Sequence, residues 1–68
     1  MKATLLFLSN KYEDLYNIIA TYPDIDFPNQ ISIKDLIKYN EHKGEVHHIT
    51  HDINVGKTYI RVMLVSSQ

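Results

Sequence analysis

The 68 residues suffice for one small domain, and a chain this short buries only about 60% of the surface its unfolded form exposes. It has no cysteine, which excludes disulfides and thiolate metal sites and leaves a tight core, a histidine-bound metal or a partner chain as sources of stability. Seven basic residues face eight acidic ones, so the net charge of −1 lacks the cationic surplus that phosphate binding draws on.

Residues 3–8 form the first element, a strand apolar on both alternating sets, with Leu6 and Leu8 on one face and Leu5 and Phe7 on the other. A strand of that kind is buried on both sides and belongs in the interior of a sheet. Its apolar run is too short for a signal sequence, no stretch approaches the ~20 apolar residues of a membrane span, and the expected location is cytoplasmic.

A helix is expected next. Asn10 serves as its N-cap with Glu13 three residues on, and Leu15, Ile18, Ile19 and Tyr22 follow helical spacing, with Tyr12 and Tyr16 beside them. Pro23 ends it. In the loop that follows, Ile25 and Phe27 are expected to tuck under the core, while Asp24 and Asp26 are solvated charges without the further oxygen ligands of a cation site.

Ser32 and Asp35 form a variant capping box, flanked by Ile31 and Leu36 at the spacing of a hydrophobic staple. They predict a second helix with Ile33, Leu36, Ile37 and Asn40 as its stripe, Tyr39 off that stripe, His42 and Lys43 in its last turn and Gly44 as its C′ residue. The competing reading is a short strand over residues 30–34, where Ile31 and Ile33 alternate.

The stretch over residues 45–65 is a β-hairpin. A four-residue loop at 54–57 pairs Ile53 with Thr58, His51 with Ile60, Ile49 with Val62 and His47 with Leu64. That register gathers Ile49, Ile53, Ile60, Val62 and Leu64 on one face, and Gly56 supplies the positive φ of the turn. The resulting expectation is an α+β fold of order β-α-α-β-β, one domain over residues 1–68. Two helices pack on one face of a three-stranded sheet that ends in a hairpin.

Two helices cover only one side of such a sheet. The other side is expected to carry Val46, His48, Thr50 and Asp52 beside Tyr59, Arg61, Met63 and Val65, with either Leu5 and Phe7 or Leu6 and Leu8 from the first strand. An apolar patch left open on a small protein marks a partner surface. The set chosen for it is His48, Tyr59, Arg61, Met63, Val65, Leu5 and Phe7.

His42, His47, His48 and His51 raise the question of zinc. In a regular strand His47 and His51 lie about 13 Å apart and His48 points to the other face, so ligands held at ~2.0–2.1 Å do not converge and no metal is expected. Histidine titrates near neutrality, so these four also raise the prospect of pH-sensitive association. Gly56-Lys57-Thr58 matches the end of a phosphate loop but lacks the first glycine, no nucleophile motif is present, and a domain this small rarely encloses a pocket of ~300 Å³. No enzyme activity and no cofactor are expected.

The function expected from these residues is binding to another protein, as an inhibitor, adaptor or regulator, with self-association as its commonest form. Size and a composition rich in Ile, Asn, Lys and Tyr fit a phage or prophage accessory protein. The alternative is a single-stranded nucleic-acid binder using Tyr59 and Arg61 as a stacking platform.

Overall fold

In the computed structural model, which describes residues 2–12 and 15–64, the described chain is all β. Five strands, β1 (Lys2–Tyr12), β2 (Leu15–Asp26), β3 (Leu36–Tyr39), β4 (His42–Asp52) and β5 (Lys57–Leu64), form one sheet in the order β2-β1-β5-β4-β3. The β1–β5 pairing is parallel and the other three are antiparallel. The expected α+β fold is therefore corrected: no described residue is helical, and the segments assigned to the two helices supply β2, β3 and the start of β4.

The doubly apolar first strand behaves as its composition requires. β1 lies inside the sheet between β2 and β5, with Ala3, Leu5 and Phe7 in the core and Leu8 buried on the other face. Gaining a second neighbour is what draws residues 15–26 into a strand. Ile18, Ile19, Thr21 and Tyr22 are β-branched or aromatic, and such residues lose side-chain freedom in a helix but pack well on a pleated surface. The helical spacing of Ile18, Ile19 and Tyr22 coincides with a strand carrying a β-bulge. Phe7 pairs with Ala20 and Leu8 with Ile18, which leaves Ile19 as the extra residue. Pro23 does not end a helix. It sits in an edge strand at a second irregularity, beside Asp24 with φ 54°, where a missing N–H costs no ladder bond. The expected cap partner Glu13 lies outside the described residues.

The capping-box signal at Ser32 and Asp35 is satisfied as a single turn. The Ser32 N–H donates to Asp35 Oδ2 at 2.8 Å, and the Asp35 N–H returns to the Ser32 carbonyl at 3.1 Å. The chain then leaves the helical path. Lys34 has φ 76°, its N–H donates to the Val46 carbonyl at 2.9 Å, and the Val46 N–H donates to the Asp35 carbonyl at 2.8 Å. Those bonds lead directly into β3, and Asn40 with φ 56° makes the tight turn to β4, where Tyr39 pairs with His42. The short strand considered at 30–34 does not form, because pairing begins at Leu36.

Gly44 is not a helix cap but a buried residue of β4 between Ile37 and Leu64. A Cβ there would clash with the Met63 carbonyl oxygen and lie 2.7 Å from Val62 Cγ1, so only glycine admits this approach of β4 to β5.

The C-terminal hairpin forms with its loop one residue earlier than expected. Asp52 pairs with Lys57, His51 with Thr58 and Ile49 with Ile60. The pairing shifts by two positions, so Ile49, Ile60, Val62 and Leu64 keep the core face while their partners change. Ile53 falls out of the ladder into the loop and is 86% exposed. The Asn54 N–H donates to Asp52 Oδ1 at 3.1 Å, the side-chain bond that makes Asp52 and not Ile53 the closing residue. Gly56 has φ 67° as expected.

The core lies on one face of the curled sheet. Ala3, Leu5, Phe7, Ile37, Val46, Ile60 and Val62 are buried there, with Ile25 from the end of β2 and Phe27 and Ile31 from the β2–β3 connection packed against them. The expected tucking of Ile25 and Phe27 is observed. Curling brings the two edge strands together through aromatic rings, with Tyr22 of β2 and Tyr39 of β3 4.7 Å apart between centroids and His42 5.1 Å from Phe7. Tyr39 is thus half-buried in the core rim rather than off the apolar stripe.

Candidate functional site

The opposite face of the sheet carries Thr4, Leu6 and Leu8 from β1, Tyr59, Arg61 and Met63 from β5, and His48, Thr50 and Asp52 from β4, as the pairings Thr4–Tyr59, Leu6–Arg61, Leu8–Met63, His48–Arg61 and Thr50–Tyr59 require. Of the residues expected on this face, His48, Tyr59, Arg61 and Met63 are there. Leu5 and Phe7 are corrected to the core face, where each is 0% exposed, and Leu6 and Leu8 take their place. Val46 also belongs to the core, and Val65 lies outside the described residues.

One feature of β4 shapes the face. The register shifts between Val46 and His48, and His47 is the extra residue of the bulge. In a regular strand His47 and His48 point to opposite sides. Here they lie together with ring centroids 6.4 Å apart, and both line the same groove. The same shift turns Val46 inward.

That groove has a volume of about 540 Å³ and is open to solvent rather than enclosed. Leu6, Leu8 and Ile18 supply its aliphatic lining, and His47, His48, Thr50 and Arg61 its polar lining. The Arg61 guanidinium donates through Nη1 to Thr50 Oγ1 at 3.0 Å, which sets its direction on the central strand. Ile18, from the edge strand, is 62% exposed at the open side. Among the described lining residues Arg61 is the fixed charge, and no carboxylate is among them. Glu45 and Asp52 stand on the same face of β4 at its two ends, opposite Met63 and Lys57.

The histidines do not converge as a set. His42 packs on Phe7 at the core rim, His51 lies with Nδ1 3.0 Å from Thr58 Oγ1 near the hairpin loop, and only His47 and His48 share a site. The described residues bring no group of three metal-ligating side chains together. No described helix is long and apolar enough to cross a membrane.

Ile18 and His47 line the site although sequence reasoning put neither there, whereas Thr50 stands on the face expected for it. Ile18 was absorbed into a helical stripe, although the β-branched and aromatic run Ile18-Ile19-Ala20-Thr21-Tyr22 carried the strand signal. Nothing in the sequence marks a bulge at His47. Comparison with protein-family models, with curated proteins and with solved structures finds no match for this chain.

Proposed function

We propose that this protein works by binding another protein through the open face of its sheet, and not by catalysis. The observation that supports this reading is the groove itself: an aliphatic floor beside one oriented guanidinium, on a face that no other described strand covers. A mixture of apolar area and a few placed polar groups is the composition of a recognition surface. A different chain fits it better than a second copy. A two-fold pairing sets the same patch against itself, so the Arg61 side chains of both copies fall in one interface whose described lining offers them no carboxylate. An extended segment from another protein fills the groove and meets the charge.

Selection of a displayed random-peptide library against the full chain tests the reading. Enriched peptides are expected to lose binding to Ile18→Glu and Met63→Lys, two changes on this face at positions that carry little of the core. Binders indifferent to both substitutions, or none at all, overturn it. So does tight binding of labelled single-stranded DNA or RNA at low salt, which would identify the face as a base-stacking platform.

A further inference from the structure

We infer that the partner segment is acidic and aliphatic: a carboxylate of the bound peptide sits on Arg61, and a neighbouring leucine-, isoleucine- or valine-type side chain sits on Leu6, Leu8 and Ile18. The inference rests on the open face being a protein-binding surface and adds the chemistry of what it binds.

Charge carries the first half. A guanidinium presents donors in a planar fork that matches a carboxylate. The one at Arg61 is already directed by Thr50 Oγ1 at 3.0 Å, so part of the ordering that binding requires is present in the free protein. The bulge at His47 places two imidazoles beside it, and the described lining residues include no carboxylate to compete for the guanidinium. Glu45 and Asp52, the acids of β4 on this face, pair with Met63 and Lys57 and lie outside the described lining.

The floor carries the second half, and it separates a peptide from a nucleic acid. Single-stranded bases are held by stacking on aromatic rings along a cationic track. Here the aliphatic part is Leu6, Leu8 and Ile18, the described lining residues include no tyrosine or phenylalanine, and Tyr59 stands outside them. Aliphatic side chains bury other aliphatic groups without a stacking geometry. With a net charge of −1 the chain also lacks long-range attraction for a polyanion, whereas one carboxylate needs only the local field of Arg61.

Fluorescence anisotropy with four labelled probes tests this on the full chain. The probes are a short peptide alternating glutamate and leucine, its lysine-for-glutamate and serine-for-leucine counterparts, and oligo-deoxythymidine. The glutamate–leucine peptide is expected to bind at least about tenfold tighter than the other three, the scale of one charge-assisted hydrogen bond. Amide shifts in ¹H–¹⁵N spectra should centre on Leu6, Leu8, Ile18 and Arg61. Arg61→Gln is expected to weaken that binding by about 10–100-fold, with Arg61→Lys recovering part of it. Should Arg61→Gln not fold, Ile18→Glu serves instead, because its position is exposed; it is expected to repel the acidic peptide and to admit the lysine one. Preference for the lysine or serine peptide, with shifts in the same groove, overturns the acidic assignment and leaves the protein-binding reading standing. Binding of oligo-deoxythymidine alone, or of no probe, overturns both.

Discussion

Single residues decide this fold where a strand would otherwise be impossible, and the two glycines do so by different physics. At Gly44 the obstacle is contact: an added Cβ runs into the Met63 carbonyl oxygen, and backbone cannot move aside as a side-chain tip can. At Gly56 nothing lies within 4 Å, and the obstacle is only the left-handed conformation at φ 67°. Gly44→Ala is therefore expected to cost about 3 kcal/mol or more, as overpacking at a strand interface does. Gly56→Ala should cost about 1–2 kcal/mol, the strain of an L-residue in that region. Urea unfolding midpoints measure both, and a Gly44→Ala variant no less stable than Gly56→Ala would contradict the close β4–β5 approach. Of the two residues, Gly56 was legible from sequence because turn chemistry is local. Gly44 was not, because its constraint comes from residues about twenty positions away.

Local signals and element type part company over residues 15–44. The exchange between Ser32 and Asp35 forms as its spacing predicts, yet it closes one turn and stops. Isolated helices of about a dozen residues are marginal in water, so a cap cannot sustain one when the chain gains more by pairing. For β2 the gain is the exposed edge of β1, whose backbone groups need partners and whose Leu8 side needs cover. For β3 it is the edge of β4, reached through Lys34 and Val46. Far-ultraviolet circular dichroism is expected to show a β-sheet spectrum without the helical double minimum. A helical spectrum over this length of chain would restore the two-helix reading. The hairpin was more legible: its strands, loop length and core face follow from Ile49, Ile60, Val62 and Leu64. Its closing pair was missed because the Asp52 side chain captures the Asn54 amide and ends the ladder one residue early.

At the scale of the whole molecule, stability depends on how far the sheet curls. With no layer of helices, the core face is closed by the sheet's own edges and by the connection carrying Phe27 and Ile31. The contact between Tyr22 and Tyr39, edge to face at 4.7 Å and 64°, joins strands that share no hydrogen bond. A double-mutant cycle on Tyr22→Leu and Tyr39→Leu is expected to give a coupling of about 0.5–1.5 kcal/mol, the range of an aromatic pair beyond simple burial. Strict additivity would mean that the edges are held apart in solution. Curling has a functional consequence as well. It draws the core side chains to the concave side and leaves the opposite face, with Leu6, Leu8, Ile18 and Arg61, without a covering layer among the described residues.

The amino-acid sequence by itself determined which residues are apolar on both faces, where turns are permitted, that no cysteine contributes, and that His48, Tyr59, Arg61 and Met63 share one side of a sheet. Those properties are set by side-chain chemistry and by the two-residue period of a strand. Only the tertiary structure decided that residues 15–26 and 36–39 are strands, that Leu6 and Leu8 rather than Leu5 and Phe7 face outward, and that His47 joins His48 in one groove. The reason is that a bulge, a strand partner and the direction of curl depend on energies summed over distant segments, and no local pattern encodes them.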